Sequence, residues 1–138
     1  MGHGVMLTFR CRPETVPRAR HLVDTELRHN GANGDIVDRV VLASAEACNN
    51  AILHSTSASY DVTVDVDGDR ATVIVRDSGS GFQVPDRIEM PAPDSVSRRG
   101  LALMRALVDA VDVTSDGEGT TVVIRQHLNG ASHRAAVA

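Results

Sequence analysis

A chain of 138 residues, 42% hydrophobic and 23% charged, has the size and balance of one ordinary globular domain rather than of a disordered segment. Its net charge of −4, with the acidic residues scattered, lacks the basic stripe and stacking aromatics of a nucleic-acid binder. No apolar run approaches the roughly 18 residues that span a bilayer, and no signal-peptide pattern opens the chain, so a cytoplasmic protein without direct nucleic-acid or membrane contact is expected.

Phe9, Tyr60 and Phe82 are the only Phe, Tyr or Trp residues, so the core must be aliphatic. Leu7, Phe9 and Cys11 alternate with polar residues, which predicts a half-buried strand. A helix follows over about 17–29, with Ala19, Leu22, Val23 and Leu27 as its apolar stripe and Asn30-Gly31 as its stop. Asp35 is placed to cap a second helix, running to about His54. Projected at about 100° per residue, Val37, Val40, Val41, Ser44, Cys48, Ala51 and Ile52 share one side. Cys11 and Cys48 thus read as structural thiols. Glu46 and Asn50 lie on the other side, four apart and stacked one turn above the other. Leu42 and Leu53 flank them, which predicts a half-buried front.

Tyr60–Val66 and Ala71–Arg76 alternate around Asp67-Gly68-Asp69, a hairpin signature. The second strand leads into Asp77-Ser78-Gly79-Ser80-Gly81-Phe82, then into a polar segment with prolines at 85, 91 and 93, read as a loop or lid over 83–99. A third helix is expected over 101–110, with Leu103, Met104, Leu107 and Val111 as its stripe. A second hairpin pairs 111–115 with 120–126 around Asp116-Gly117-Glu118-Gly119. Residues 1–6 and 129–138 are expected to be flexible termini around a single domain over 7–128. The order predicts an α+β fold, a two-layer sandwich with helices on one face of a mostly antiparallel, mixed sheet.

Four segments carry candidate chemistry, and each has an ordinary structural alternative. Glu46 can accept a proton and Asn50 offers Mg²⁺ a hard carbonyl oxygen, although alone the pair is also a solvated helix face. Asp77 can accept a hydrogen bond from a ligand amine, with Gly79 and Gly81 allowing close backbone approach, although a Gly-rich turn after a strand is common. Arg98-Arg99-Gly100-Leu101 can bind phosphate at a helix N-terminus, or simply start a helix. Gly119-Thr120-Thr121 is in isolation a turn-to-strand junction.

Order and spacing add what the single segments lack. Glu46-Ala47-Cys48-Asn49-Asn50-Ala51-Ile52-Leu53-His54 resembles the E-A-x-x-N-A-x-x-H helix of the gyrase, histidine-kinase and mismatch-repair (GHKL) superfamily. Asp77–Phe82 resembles its D-x-G-x-G-F box, Arg99–Leu103 its second glycine box, and Gly119-Thr120-Thr121 its terminal G-T strand. Within the superfamily the chain is most similar to the RsbW-type anti-sigma factor serine kinases, over about 7–128. The resemblance implies the Bergerat ATP-binding fold and two cofactors, ATP and Mg²⁺. Asn50 would hold the metal and Asp77 would read the adenine amine, helped by Thr120 or Thr121. Gly79 and Gly81 would pass close to the base, while Arg98, Gly100 and Leu101 would cover the phosphates. Glu46 would be the general base for a serine of an anti-anti-sigma (STAS-type) partner, whose competitor is a sigma factor, and a homodimer is expected. Ala102 stands where the second box often carries glycine. The alternative function is a non-catalytic nucleotide-binding interaction module. A complete sensor histidine kinase, with acceptor domain and membrane sensor, is not expected.

Overall fold

The computed structural model describes residues 3–54, 57–77 and 98–128. Strand β1 (His3–Arg10) leads through a 3-10 turn (Pro13–Thr15) into helix α1 (Val16–His29) and helix α2 (Gly34–His54). Strands β2 (Ser59–Asp67) and β3 (Arg70–Asp77) follow, then helix α3 (Arg98–Leu107) and strands β4 (Ala110–Asp116) and β5 (Gly119–His127). The strands form one sheet in the order β1-β2-β3-β5-β4.

This is the expected α+β architecture, and every pairing among the described strands is antiparallel. Alternation sets the two faces. Val62, Val64, Val73, Val75, Val122 and Ile124 are buried, and the residues between them on the same strands are half-buried or exposed. The buried face lies under α1 and α2, and each fully buried Val, Ile or Leu side chain contributes about 1.5–3 kcal/mol. β1 extends further towards the N-terminus than alternation implied: Gly4, Val5 and Met6, within the stretch expected to be a flexible terminus, pair with Asp65, Val64 and Thr63. Gly4 interrupts the apolar pattern there, and pairing to β2 holds the backbone in its place.

Helix α1 has the predicted stripe, with Ala19, Leu22, Val23 and Leu27 buried. It stops where Gly31 takes φ +90 and the Ala32 N–H donates to the Leu27 carbonyl at 3.1 Å. Asn33, not Asp35, caps α2: its Oδ1 accepts from the Ile36 N–H at 3.0 Å, which leaves Asp35 in the first turn. The β2–β3 hairpin closes through Gly68 at φ +64, with Asp67 facing Arg70.

Helix α3 lies three residues earlier at each end than predicted. The Asp109 carboxylate accepts from the His127 backbone N–H at 2.9 Å and meets the His127 ring Nδ1 at 2.9 Å. The Asp109 N–H donates to the buried Gln126 side chain at 3.1 Å. These bonds tie the chain to β5 before the helix can continue, and Arg39 of α2 donates to the free Leu107 carbonyl at 2.9 Å. The buried stripe also differs from the expected one. Met104 and Val108 are buried, whereas Leu103 is exposed.

Beneath α1 and α2, Phe9 stacks on Tyr60 with ring centroids 5.6 Å apart. The Tyr60 hydroxyl bonds Thr15 Oγ1 at 2.7 Å. Burial pushes the Cys48 thiol up to about 12, and likewise the Tyr60 phenol to about 12. Both groups are neutral at physiological pH, and Cys48 is a core residue without thiolate chemistry.

Candidate functional site

Helix α2 is buried on more of its circumference than an amphipathic surface helix. Ile36, Ala43 and Ala47 are buried in addition to the predicted Val37, Val40, Ser44, Cys48 and Ala51. The cause is packing: α1 flanks it, α3 flanks it, and β3 and β5 lie beneath. The side chain of Asn50 is drawn into this packing and is only 5% exposed. Leu42 and Leu53 do not provide that cover, being 49% and 74% exposed. The sheet does.

A small hollow opens between α2 and the ends of β3 and β5. Ala47, Asn50 and Ala51 line it from the helix, Val75 and Asp77 from β3, and Thr120 and Val122 from β5. Asp77 is the last residue of β3, directly opposite Thr120 in the ladder. Its carboxylate is 7% exposed, and Oδ1 accepts from the Thr120 N–H at 3.4 Å. Across the hollow, the Asn50 Nδ2 is buried without a hydrogen-bond partner among the described residues. A buried amide with nothing to bond costs about 1–3 kcal/mol, so the fold carries a polar group it does not itself use.

The chemistry follows from the lining. Val75, Val122, Ala47 and Ala51 are small and apolar, which suits a flat ring. Asp77 supplies an acceptor for a ring amine and Asn50 supplies an Nδ2 donor without a partner among the described residues. Among the described residues no group of three or more His, Cys, Asp or Glu side chains gathers as a resident metal cage requires.

The predicted site residues divide. Asn50, Asp77 and Thr120 come together. Glu46 is half-buried one turn before Asn50 and does not line the hollow. Thr121 faces away: it pairs with Arg76, whose Nη1 donates to its Oγ1 at 3.0 Å, on the sheet face opposite the helices. Of the two threonines only Thr120 belongs to the cavity. Gly100 is buried and Leu101 half-buried in the first turn of α3, with the Arg98 backbone opening that helix. Gly79 and Gly81, and the lid up to residue 97, lie outside the described residues. Ala47, Val75 and Val122 also wall the cavity, and none of them was expected as a site residue. Ala47, small and one turn before Ala51, leaves room beside Asn50.

Replacing Asn50 by leucine, close to it in shape, tests the unpaired amide directly. The Asn50→Leu protein without nucleotide is expected to melt roughly 2–8 °C higher than wild type, because an unsatisfied polar group leaves the interior. A lower melting temperature would show that the amide stabilises the folded state.

Comparison with known proteins identifies the family and the fold. The family model described as the histidine kinase-like ATPase domain matches residues 9–126. The chain belongs to that family. Membership in this ATPase family implies ATP binding. Among relatives, the chain is 31% identical to the serine-protein kinase RsbW of Bacillus velezensis, across 91% of this chain and 86% of that one. It is 30% identical to the serine-protein kinase RsbW of Bacillus subtilis, across 87% and 82%. A structure of the RsbU and RsbW domains of a Mycobacterium tuberculosis protein superposes with a TM-score of 0.71 at 20% identity, covering 91% of this chain and 32% of that one. The histidine kinase domain of a blue-light activated histidine kinase from Erythrobacter litoralis superposes with a TM-score of 0.54 at 20% identity, over 94% and 70%. The two structures share the ATPase fold. No helix among the described residues is long and apolar enough to cross a membrane.

Proposed function

We propose that this member of the histidine kinase-like ATPase family is an ATP-dependent serine/threonine protein kinase and anti-sigma factor. It would phosphorylate an anti-anti-sigma (STAS-type) protein and sequester a sigma factor. The observation that carries the reading is the pairing across one hollow of a buried aspartate, Asp77, with a buried amide, Asn50, whose Nδ2 has no hydrogen-bond partner among the described residues. The identity of about 30% to serine-protein kinases RsbW supports the direction of the chemistry.

Each residue then has a task. Asp77 accepts from the adenine amine, with Thr120 beside it at the strand end. Gly79 and Gly81 keep the following segment slim enough to pass the base. Asn50 holds Mg²⁺ through its amide oxygen. Bound Mg²⁺ supplies charge neutralisation to the phosphates and alignment of the transferred group. Arg98, Gly100 and Leu101 contribute charge, free N–H groups and the positive end of the helix dipole to the phosphates. Glu46 accepts the proton of the acceptor hydroxyl. The serine oxygen bonds to the γ-phosphorus as the bond to the β-phosphate oxygen breaks, and ADP departs. The unit that acts is a single domain over about 7–128, a cytoplasmic homodimer in this proposal.

The purified protein, incubated with ATP–Mg²⁺ and each STAS-type anti-anti-sigma protein of its host, is expected to yield phosphoserine or phosphothreonine on one of them. Phosphate on none of them would reject the kinase. A non-catalytic module, in which nucleotide only shapes a docking surface, is the second reading, favoured by the position of Glu46 outside the hollow. It predicts that Glu46→Ala leaves control of the partner intact.

A further inference from the structure

We infer that Arg39 is a positioning residue for the nucleotide phosphates: it clasps the C-terminal end of α3 and so fixes where the first turn of that helix stands beside Asn50. The inference rests on the kinase reading above, in which that turn meets the phosphates.

Arg39, Ala43 and Asn50 follow the i, i+4, i+11 spacing that keeps side chains on one side of α2. The contacts of Arg39 show which neighbour that side meets. Its Nη1 donates to the carbonyl of Leu107, the last residue of α3, at 2.9 Å, and its Nε donates to the Asp35 carboxylate at 3.3 Å. Only five residues of α2 precede Arg39, and α2 is the main neighbour of α3. From this contact α3 therefore runs back alongside α2. At about 1.5 Å rise per residue, Arg39 to Asn50 spans about 16 Å and Leu107 to Arg98 about 13 Å. A helix held at Leu107 thus brings its opening turn, with the buried Gly100, level with the Asn50 end of the hollow. The clasp at one end sets the position of the other.

Packing alone does not account for an arginine here. Its side chain is only 16% exposed, and Nη2 is buried without a hydrogen-bond partner among the described residues. An interior guanidinium with an unpaired N–H costs stability, and water ordinarily satisfies the last carbonyls of a surface helix. What the buried cation adds is charge at a fixed place. It meets the negative pole of α3, and the positive pole is the end assigned to the phosphates. Beyond the helix, Asp109 bonds His127 and Gln126, which joins that end of α3 to the sheet. Arg39 joins it to the helix that carries Asn50.

Calorimetric titration of Arg39→Met with ATP–Mg²⁺ and with adenosine tests the assignment. Adenosine carries the base that Asp77 would meet and no phosphate. The variant is expected to bind ATP roughly tenfold more weakly, and adenosine as tightly as wild type does. Arg39→Lys, which keeps a charged donor for the Leu107 carbonyl, recovers most of the loss. The wild type supplies a second measurement that needs no substitution. Coupling is reciprocal, so phosphates at one end of α3 strengthen the clasp at the other. The Val108 and Asp109 amides bond Met104 and Gln126. Relative to the amides of α1, saturating ATP is expected to slow their hydrogen exchange roughly fivefold more than saturating adenosine does. Unchanged ATP affinity in Arg39→Met overturns the assignment and spares the nucleotide site. So does a loss shared equally by ATP and adenosine, which leaves Arg39 a purely structural residue, or exchange at 108 and 109 that both ligands slow alike. If the wild type binds no ATP, this inference and the kinase reading fall together.

Discussion

Asp77→Asn is expected to weaken ATP binding at least about a hundredfold, or about 2.8 kcal/mol, while leaving the protein folded. The carboxylate ends β3 at 7% exposure, and its Oδ1 accepts from the Thr120 N–H. Asparagine keeps an acceptor for that strand contact but replaces the other oxygen with an NH₂ group. A donor then faces the donor of the adenine amine in a site with little water to intervene, and the loss is that of a charge-assisted bond plus an unpaired group. Guanine presents a carbonyl oxygen where adenine presents the amine. The variant should therefore also narrow the preference for ATP over GTP. Calorimetric titration with both nucleotides reads the two effects together, and an unchanged ATP affinity would remove Asp77 from the base site.

Glu46→Gln is expected to separate binding from transfer. Glutamine keeps the length and helix propensity of glutamate but cannot take a proton, so phosphorylation of the acceptor falls about 10²–10⁴-fold. ATP affinity is expected to change little, because Glu46 stands outside the hollow that Asn50 and Asp77 share. A variant that phosphorylates at the wild-type rate would take Glu46 out of catalysis and favour the non-catalytic reading.

Local signals in the sequence located most elements, and what they could not contain was the neighbour of each element. The α1 stripe and the Gly68 hairpin were legible because their causes lie within a few residues. The end of α3 was not, since Asp109 leaves the helix to reach Gln126 and His127 on a strand eighteen residues away. The cap of α2 went to Asn33 over Asp35, two residues with the same capping chemistry, because only the path of the chain from Gly31 decides between them. For the site, the resemblance to the family's motifs implied that Asn50 and Asp77 share one cavity. Periodicity alone assigned Asn50 to a front face, and burial from the sheet turned that face into a wall. Thr120 and Thr121 were indistinguishable until pairing placed one beside Asp77 and the other beside Arg76.

The meeting of Asp77 with Thr120 in the ladder has a consequence for how this chain can vary. Because side chains alternate with period two, an extra residue within 120–126 would present Thr121 to the cavity and carry Val122 and Ile124 out of the core in the same stroke. Recognition and folding are thus indexed by one count of residues. Length can change freely only where the count does not matter, as at Gly117-Glu118 between Asp116 and Gly119, so homologous chains should differ in that turn and keep the spacing from there to Gln126.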